Sequence, residues 1–281
     1  MLNAKRVVRL ILALIVAVSC LLFASSGPVG TNSSPQRPDQ IRIVTVVKRT
    51  GIVWFERMEQ GIKQFAAQTG VNATMTGAAD ADPQKQADII RKLIEEKPAA
   101  ITVVPNSPEA LEGVLKQARE AGIKVVTHEA SNQVNTDVDI EAFDNLAFGA
   151  HLMDELASCM GGKGKYVAFV GHVTARSHMR WVTAAHERAR QKYPNTSLPS
   201  VAGEFLNDGA VDKIFLWDPV IAGQAQDKLA LMLIKGQHVG PGLDLGLPGY
   251  SNLKRIPGTP HTLAGSGWIA IDKANVNDYH F

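Results

Sequence analysis

Two stretches of this chain carry side chains that could do chemistry, and a third stands between them. Lys48-Arg49-Thr50-Gly51 is followed at once by Trp54-Phe55, and His128-Glu129-Ala130-Ser131-Asn132 comes eighty residues later, with Pro105-Asn106-Ser107 between. Each follows directly on an apolar run: Ile41–Val47, Ile123–Thr127 and Ala100–Val104 respectively. An ammonium, an imidazole and a carboxylate beside flat rings suit the capture of a small polar molecule. Hydrogen bonds to charged groups are worth about 1.5–3 kcal/mol each, so a few give micromolar affinity. The other chemistry open to the pair is acid–base work, with Glu129 as base and His128 as acid. A metal centre is not expected. The eight histidines show no HExxH spacing, and His128 and Glu129, adjacent on a strand, would point apart. No G-x-G-x-x-G follows the first strand, and no nucleophile elbow or P-loop is present, so no cofactor is expected.

The elements that must position these groups are strands alternating with helices. Strands are read at Ile41–Val47, Val71–Met75, Ala100–Val104, Ile123–Thr127 and Val138–Phe143. Phe55, Met58, Ile62 and Phe65 fall at helical spacing, as do Ile90, Leu93 and Ile94, and then Leu111, Val114, Leu115 and Ala118. Asp82-Pro83 and Ser107-Pro108 read as an N-cap followed by proline at the first helical position, and Gly122 as a helix stop. Such alternation implies an α/β fold with a parallel sheet covered on both faces. Right-handed crossovers put the C-terminal ends of all strands on one edge, and ligands of open α/β sheets bind there. Lys48, Trp54, Phe55, His128 and Glu129 would therefore converge.

A second lobe begins near Asp144, which is expected to end a strand and cap the next helix. A helix runs to Gly161-Gly162, a strand follows at Lys165–Gly171, a loop from His172 to His178, and a helix from Trp181 to Lys192. A short helix is expected around Val201–Leu206, then a strand at Lys213–Trp217, a helix from Pro219 through Leu233, and a strand at Gly267–Ile271. Five strands precede Asp144 but only about three follow it, which points to missing elements in the second half. The segments expected are 41–143 for the first lobe, 144–217 for a truncated second lobe, 218–245 returning to the first, and 246–281 as a C-terminal segment.

The chain has 281 residues, 45% hydrophobic and 20% charged, with a formal charge of +2, so a nucleic-acid partner is not expected. Lys5, Arg6 and Arg9 precede the apolar run Leu10–Ala24, which is short for a spanning helix and reads as an export signal over residues 1–26. Residues 27–40 read as a polar tether. Cys20, in Ala17-Val18-Ser19-Cys20, approximates a lipidation box with Ala17 where leucine is usual; ordinary cleavage near Ala24–Ser26 is the rival. Cys159 is the other cysteine and is expected as a buried thiol.

At VVKRTGIVWF, VVPNSPEALEGVLKQAREAGIKVVTHEASNQ, EAFDNLAFGAHLMDELA, SHMRW and KIFLWDPVIAG the chain resembles the type I periplasmic sugar-binding proteins of ABC importers, especially the autoinducer-2- and rhamnose-binding receptors. The resemblance implies two similar α/β lobes joined by three crossovers and closing on a sugar, without catalysis. It also implies a permease partner, a monomer, and a place in the periplasm or on the outer face of the cytoplasmic membrane. Lys48 matches a ligand-contacting lysine of that family, Glu129 falls where it has an aspartate, and Trp54 and Phe55 match sugar-flanking aromatics. Ser177 and His178 stand where the family has an aspartate–glutamine pair. Asp218 lies beside a crossover, with hinge, capping or ligand roles open. The resemblance breaks at Asn195-Thr196. Residues to Asn195 look like the end of the second lobe's second helix and Thr196–Pro199 like a loop after a much later strand, as if about sixty residues, two βα units at ~30 each, were deleted. A sugar-fold transcription regulator would need a DNA-binding helix pair where the export signal stands. An exported enzyme and a remnant that binds nothing stay open as alternatives.

Overall fold

A computed structural model describes residues 37–170, 176–203, 213–272 and 274–275. The export signal, Cys20 and most of the tether lie outside the described residues. The first lobe is built on strands β1 (Arg42–Val47), β2 (Asn72–Gly77), β3 (Ala100–Val103), β4 (Lys124–His128) and β5 (Val138–Glu141). They alternate with helices α1 (Val53–Thr69), α2 (Pro83–Glu96) and α3 (Pro108–Glu120). All five strands pair in parallel, in the order β2-β1-β3-β4-β5. Helix starts follow local chemistry: the Asp82 carboxylate accepts from the Gln84 and Lys85 amides, and the Ser107 hydroxyl from Ala110, each just before a proline.

The chain then crosses to the second lobe. Asp144 ends the first crossover and caps α4 (Asn145–Cys159), accepting from Leu146 and Ala147. There follow β6 (Gly164–Val170), α5 (Arg176–Lys192), β7 (Thr196–Gly203) and β8 (Lys213–Trp217). Helix α6 (Pro219–Ile234) returns to the first lobe, where β9 (Lys254–Arg255) and β10 (Thr262–Ala264) extend its sheet; β11 (Trp268–Asp272) then pairs antiparallel with β8. The first sheet reaches seven strands, β10 joining β5 in parallel and β9 closing the edge antiparallel.

Each face of the large sheet carries its own core. Ile43, Val47, Val126 and Ile140 pack under α1 and α6 with Met58, Ile62 and Leu229. Val44, Val46, Ile101 and Val125 pack under α2 and α3 with Ile90, Leu111 and Leu115. Helices α1 and α6 cross so closely that a Cβ on Gly61 would fall 2.0 Å from the Val220 carbonyl oxygen, so only glycine fits.

The second lobe is the smaller. Its described strands form two separate two-stranded sheets, β6-β7 and β8-β11, and its core is a handful of residues around Met153, Ala157, Tyr166 and Ala189. It is incomplete beside the two similar lobes that the resemblance implies, and every strand in it is an edge strand.

Four sequence expectations need correction. Thr196–Pro199, read as a loop, and residues 201–203, read as the start of a helix, form β7, which pairs in parallel with β6. A long apolar ladder partner outweighs the local turn composition. Helix α5 begins at Arg176, so Ser177 and His178 lie in its first turn and not in a loop. Cys159 is exposed, because α4 turns Met153 and Ala157 inward and leaves its last turn outside. Finally, His128 and Glu129 do not point apart: Glu129 has φ +58°, a left-handed conformation that ends the strand and turns its side chain back.

Candidate functional site

The C-terminal edge of the first sheet brings Lys48 and Glu129 together. The Lys48 ammonium, just past β1, pairs with Glu129 Oε2, just past β4. Burial pushes the Glu129 carboxyl up, but the Lys48 charge and the Lys48 hydrogen bond oppose it, so the group sits below its usual value and stays ionised. Its other oxygen, Oε1, lies 3.9 Å from His128 Nε2. His128 is fully buried, and its Nδ1 is 2.6 Å from the Ile140 carbonyl. A carbonyl only accepts, so Nδ1 holds the proton and Nε2 is left as an acceptor. Burial pulls the ring below its ordinary value, so it is neutral at pH 7. Nε2 has no hydrogen-bond partner among the described residues.

These groups are held from beneath. Gln86, fully buried on α2, donates to the Val104 and Val47 carbonyls at 2.9 and 3.2 Å and accepts from the Asn106 amide at 2.8 Å. Asn106 Nδ2 in turn donates to the Lys48 carbonyl at 2.9 Å. One side chain thus fastens the ends of β1 and β3 to each other. Asp139 Oδ1 accepts from Thr127 Oγ1 at 2.9 Å and from the Ala130 amide at 3.2 Å, pinning the turn that follows Glu129.

The second lobe closes over this edge. His178 stacks obliquely on Trp181, with centroids 4.7 Å apart. Burial pulls its imidazole below the ordinary value, while Glu129 across the cleft opposes that shift. Arg180 Nη1 donates to Ser131 Oγ in the first lobe at 3.0 Å, and Trp181 Nε1 to Asn145 Oδ1 at 2.6 Å. Trp217, at the second crossover, is the hub. Trp54, Phe143, Trp181 and His128 stand nearly perpendicular to it, with centroids 5.0, 5.4, 5.9 and 6.2 Å away. His128, Glu129, Glu141, Ser177, Trp181 and Trp217 all line one central space that their side chains fill, leaving no room for a water molecule. At the mouth, a cavity of about 350 Å³ lies between Pro108 and Glu109 of the first lobe and Arg176, Met179 and Arg180 of the second.

Of the residues singled out in the sequence, Lys48, His128 and Glu129 meet directly, with Trp54 reaching them through Trp217 and His178 facing Glu129 from the other lobe. Phe55 points the other way, into the core beside Met58 and Ile62. Asp218 caps α6, accepting from the Val220 amide at 2.9 Å, and its carboxylate takes a two-pronged bond from Arg57 at 2.8 and 2.9 Å. It locks the second crossover onto α1. The sequence reading passed over Gln86, Glu141 and Trp217. Glu141 is the last residue of β5, whereas the sequence reading carried that strand on to Phe143 and so left Glu141 inside it. Among the described residues no cluster of His, Cys, Asp and Glu has the arrangement of a metal site.

A two-lobed α/β body with three crossovers, and a cleft lined by charged strand ends and aromatic rings, defines a hinged small-molecule binding protein. A periplasmic binding protein domain matches residues 43–204, more than half of the chain, and the chain belongs to that family. Solved structures share the fold. An ABC transporter solute-binding protein from Clostridium phytofermentans with bound L-rhamnose is 16% identical, covering 85% of this chain and 98% of its own, at a TM-score of 0.75. A solute-binding protein from Burkholderia graminis C4D1M in complex with D-arabinose is 17% identical, covering 88% and 100%, at 0.72. LsrB from Clostridium saccharobutylicum in complex with AI-2 is 17% identical, covering 86% and 100%, at 0.71.

Proposed function

We infer that this chain is the ligand-binding component of an ABC-type sugar importer, closing its two lobes around a small sugar and presenting the closed form to a membrane permease. The observation that carries the reading is the facing of Lys48, His128 and Glu129 at one sheet edge by His178, Trp181 and Trp217 across a hinge, within the periplasmic binding protein family. In this reading Lys48 and Glu129 exchange their mutual bond for bonds to ligand hydroxyls. His128 Nε2 accepts a hydroxyl proton, and Trp54, Trp181 and Trp217 cover the C–H faces. Phe55 and Asp218 belong to the framework. The protein acts by binding and not by turnover, which stoichiometric capture without product would establish. Residues 1–26 serve as an export signal, and lipidation at Cys20 would tether the protein to the outer face of the membrane. Among the described residues no helix is long and apolar enough to cross a membrane.

The test is a thermal melt of the purified protein with pentoses, hexoses, deoxysugars and autoinducer-2. Ligand at a hundred times its dissociation constant adds about 2.7 kcal/mol of stability. One sugar raising a cooperative transition supports the reading. Autoinducer-2 alone raising it would make the protein a signal receptor. A cooperative melt that no ligand moves would overturn both, leaving a folded remnant that binds nothing.

A further inference from the structure

The central space of the cleft and the cavity at its mouth adjoin. Asn145 lines the first and Leu146 the second, and the same division falls between Ser177 and Arg176 and between Trp181 and Arg180. The two spaces differ in what they can admit. Side chains fill the centre, so a ligand gains a place there only by taking over the bonds of the Lys48–Glu129 pair. The mouth holds about 350 Å³, within the range of small-molecule sites, and residues of both lobes line it.

The polar groups at the mouth are held in place. Glu109 Oε1 accepts from Asn132 Nδ2 at 2.7 Å, and Oε2 from Ser107 Oγ at 3.2 Å. Arg180 Nη1 is held by Ser131 Oγ at 3.0 Å. The loop that presents Glu129 to the centre thus also steadies two charged groups at the mouth. Each of them has an opposite charge in electrostatic reach, Arg176 for Glu109 and Glu141 for Arg180. Such a lining calls for neither an anion nor a cation. A carboxylate beside a guanidinium suits groups that both donate and accept, as hydroxyls do. Pro108, Leu146 and Met179 add apolar surface for the C–H faces between those hydroxyls.

We propose that the mouth cavity is an outer subsite for a second sugar unit, so that the cleft takes a disaccharide in preference to its component monosaccharides. The proposal rests on the reading of this cleft as a sugar site. The inner unit meets Lys48, His128 and Glu129. The outer unit bonds to Glu109 and Arg176 and lies on Met179, and closure of the lobes holds it between the starts of α3 and α5.

The experiment is calorimetry on the purified protein. Xylobiose, arabinobiose, cellobiose, maltose, lactose and melibiose are titrated beside xylose, arabinose, glucose and galactose, with L-rhamnose as a further reference. The expected result is one disaccharide binding at least about tenfold tighter than either of its components. Met179→Ala and Glu109→Gln should each lower that disaccharide's affinity by about fivefold, the worth of roughly one hydrogen bond or contact, and leave monosaccharide affinities unchanged. The comparison of disaccharide with monosaccharide needs only the wild-type protein, so it decides the matter even where a variant fails to fold. A monosaccharide that binds as tightly as any disaccharide, or a preference that both folded variants keep in full, overturns the proposal and leaves the sugar reading standing. No binding by any compound overturns both.

Discussion

Asp227 offers the sharpest test of how burial sets this protein's stability. It lies on α6, fully buried against the large sheet. Its Oδ1 accepts from Thr45 Oγ1 at 3.3 Å, with Thr102 Oγ1 at 3.5 Å, while Oδ2 has no partner among the described residues. Burial pushes its carboxyl from 3.8 up to about 7. A gap of about three pK units at 1.36 kcal/mol each amounts to about 4 kcal/mol. The folded-state value is the raised one, so the folded state favours the protonated acid. That stability is fully present below about pH 4 and is lost as pH rises through about 7. Asp227→Asn keeps the shape and cannot ionise. At pH 8.5 it should exceed wild type by up to about 4 kcal/mol, and the two should converge only as pH falls to about 4. Urea unfolding between pH 3.5 and 9 reads both. Asp139 is also pushed up to about 7, so the variant keeps a shallower pH dependence of its own. A variant less stable than wild type at pH 8.5, or one whose pH profile parallels it, would refute the argument.

Four further outcomes follow from the geometry. Glu129→Gly should erase any ligand-induced rise in melting temperature, yet leave the unliganded melt nearly unchanged. The lost Lys48 pair is offset by relief of about 1–2 kcal/mol of left-handed strain at φ +58°; a large fall would make Glu129 structural. Gly61→Ala should cost more than about 3 kcal/mol in urea unfolding, because α6 must retreat from a 2.0 Å contact with the Val220 carbonyl; a near-neutral result would show that the helices do not cross there. Arg57→Ala should cost about 1–3 kcal/mol by the same measure, since it strands a half-buried Asp218 at the second crossover, and an unchanged midpoint would remove that lock. Cys159, being exposed, should react with a thiol reagent in the native protein within minutes, with the signal absent in Cys159→Ser; reaction only after unfolding would return it to the core.

What could be read in the sequence was what short-range chemistry decides. The caps at Asp82, Ser107 and Asp144 sit where a side-chain oxygen meets the start of an apolar stripe, and each accepts the amides expected of it. The strands of the first lobe are apolar runs bounded by such helices, so their existence and the edge where their ends meet followed, but not their order in the sheet. The second lobe was harder because its strands are defined by partners. Thr196–Gly203 contains a proline and small residues that look like a turn, and only the ladder to β6 makes it a strand. The site divides in the same way. Lys48 and Glu129 announced themselves at strand ends, whereas Trp217 acts by what surrounds it. Gln86 looks like any polar helix residue until two strand ends are seen to hang from it.

The large sheet is assembled from distant parts of the chain. Thr262 of β10 lies beside Asp139 of β5, and Leu229 of α6 shares a core with Ile43 of β1. A chain emerging from its N-terminus therefore cannot close this sheet until residues beyond 260 have been made, however complete the first five strands are. Such long-range closure delays folding, and it leaves the open flank of β5 and the underside of β1 exposed to solvent or to other chains meanwhile. The first lobe is first in sequence but among the last parts to become finished structure.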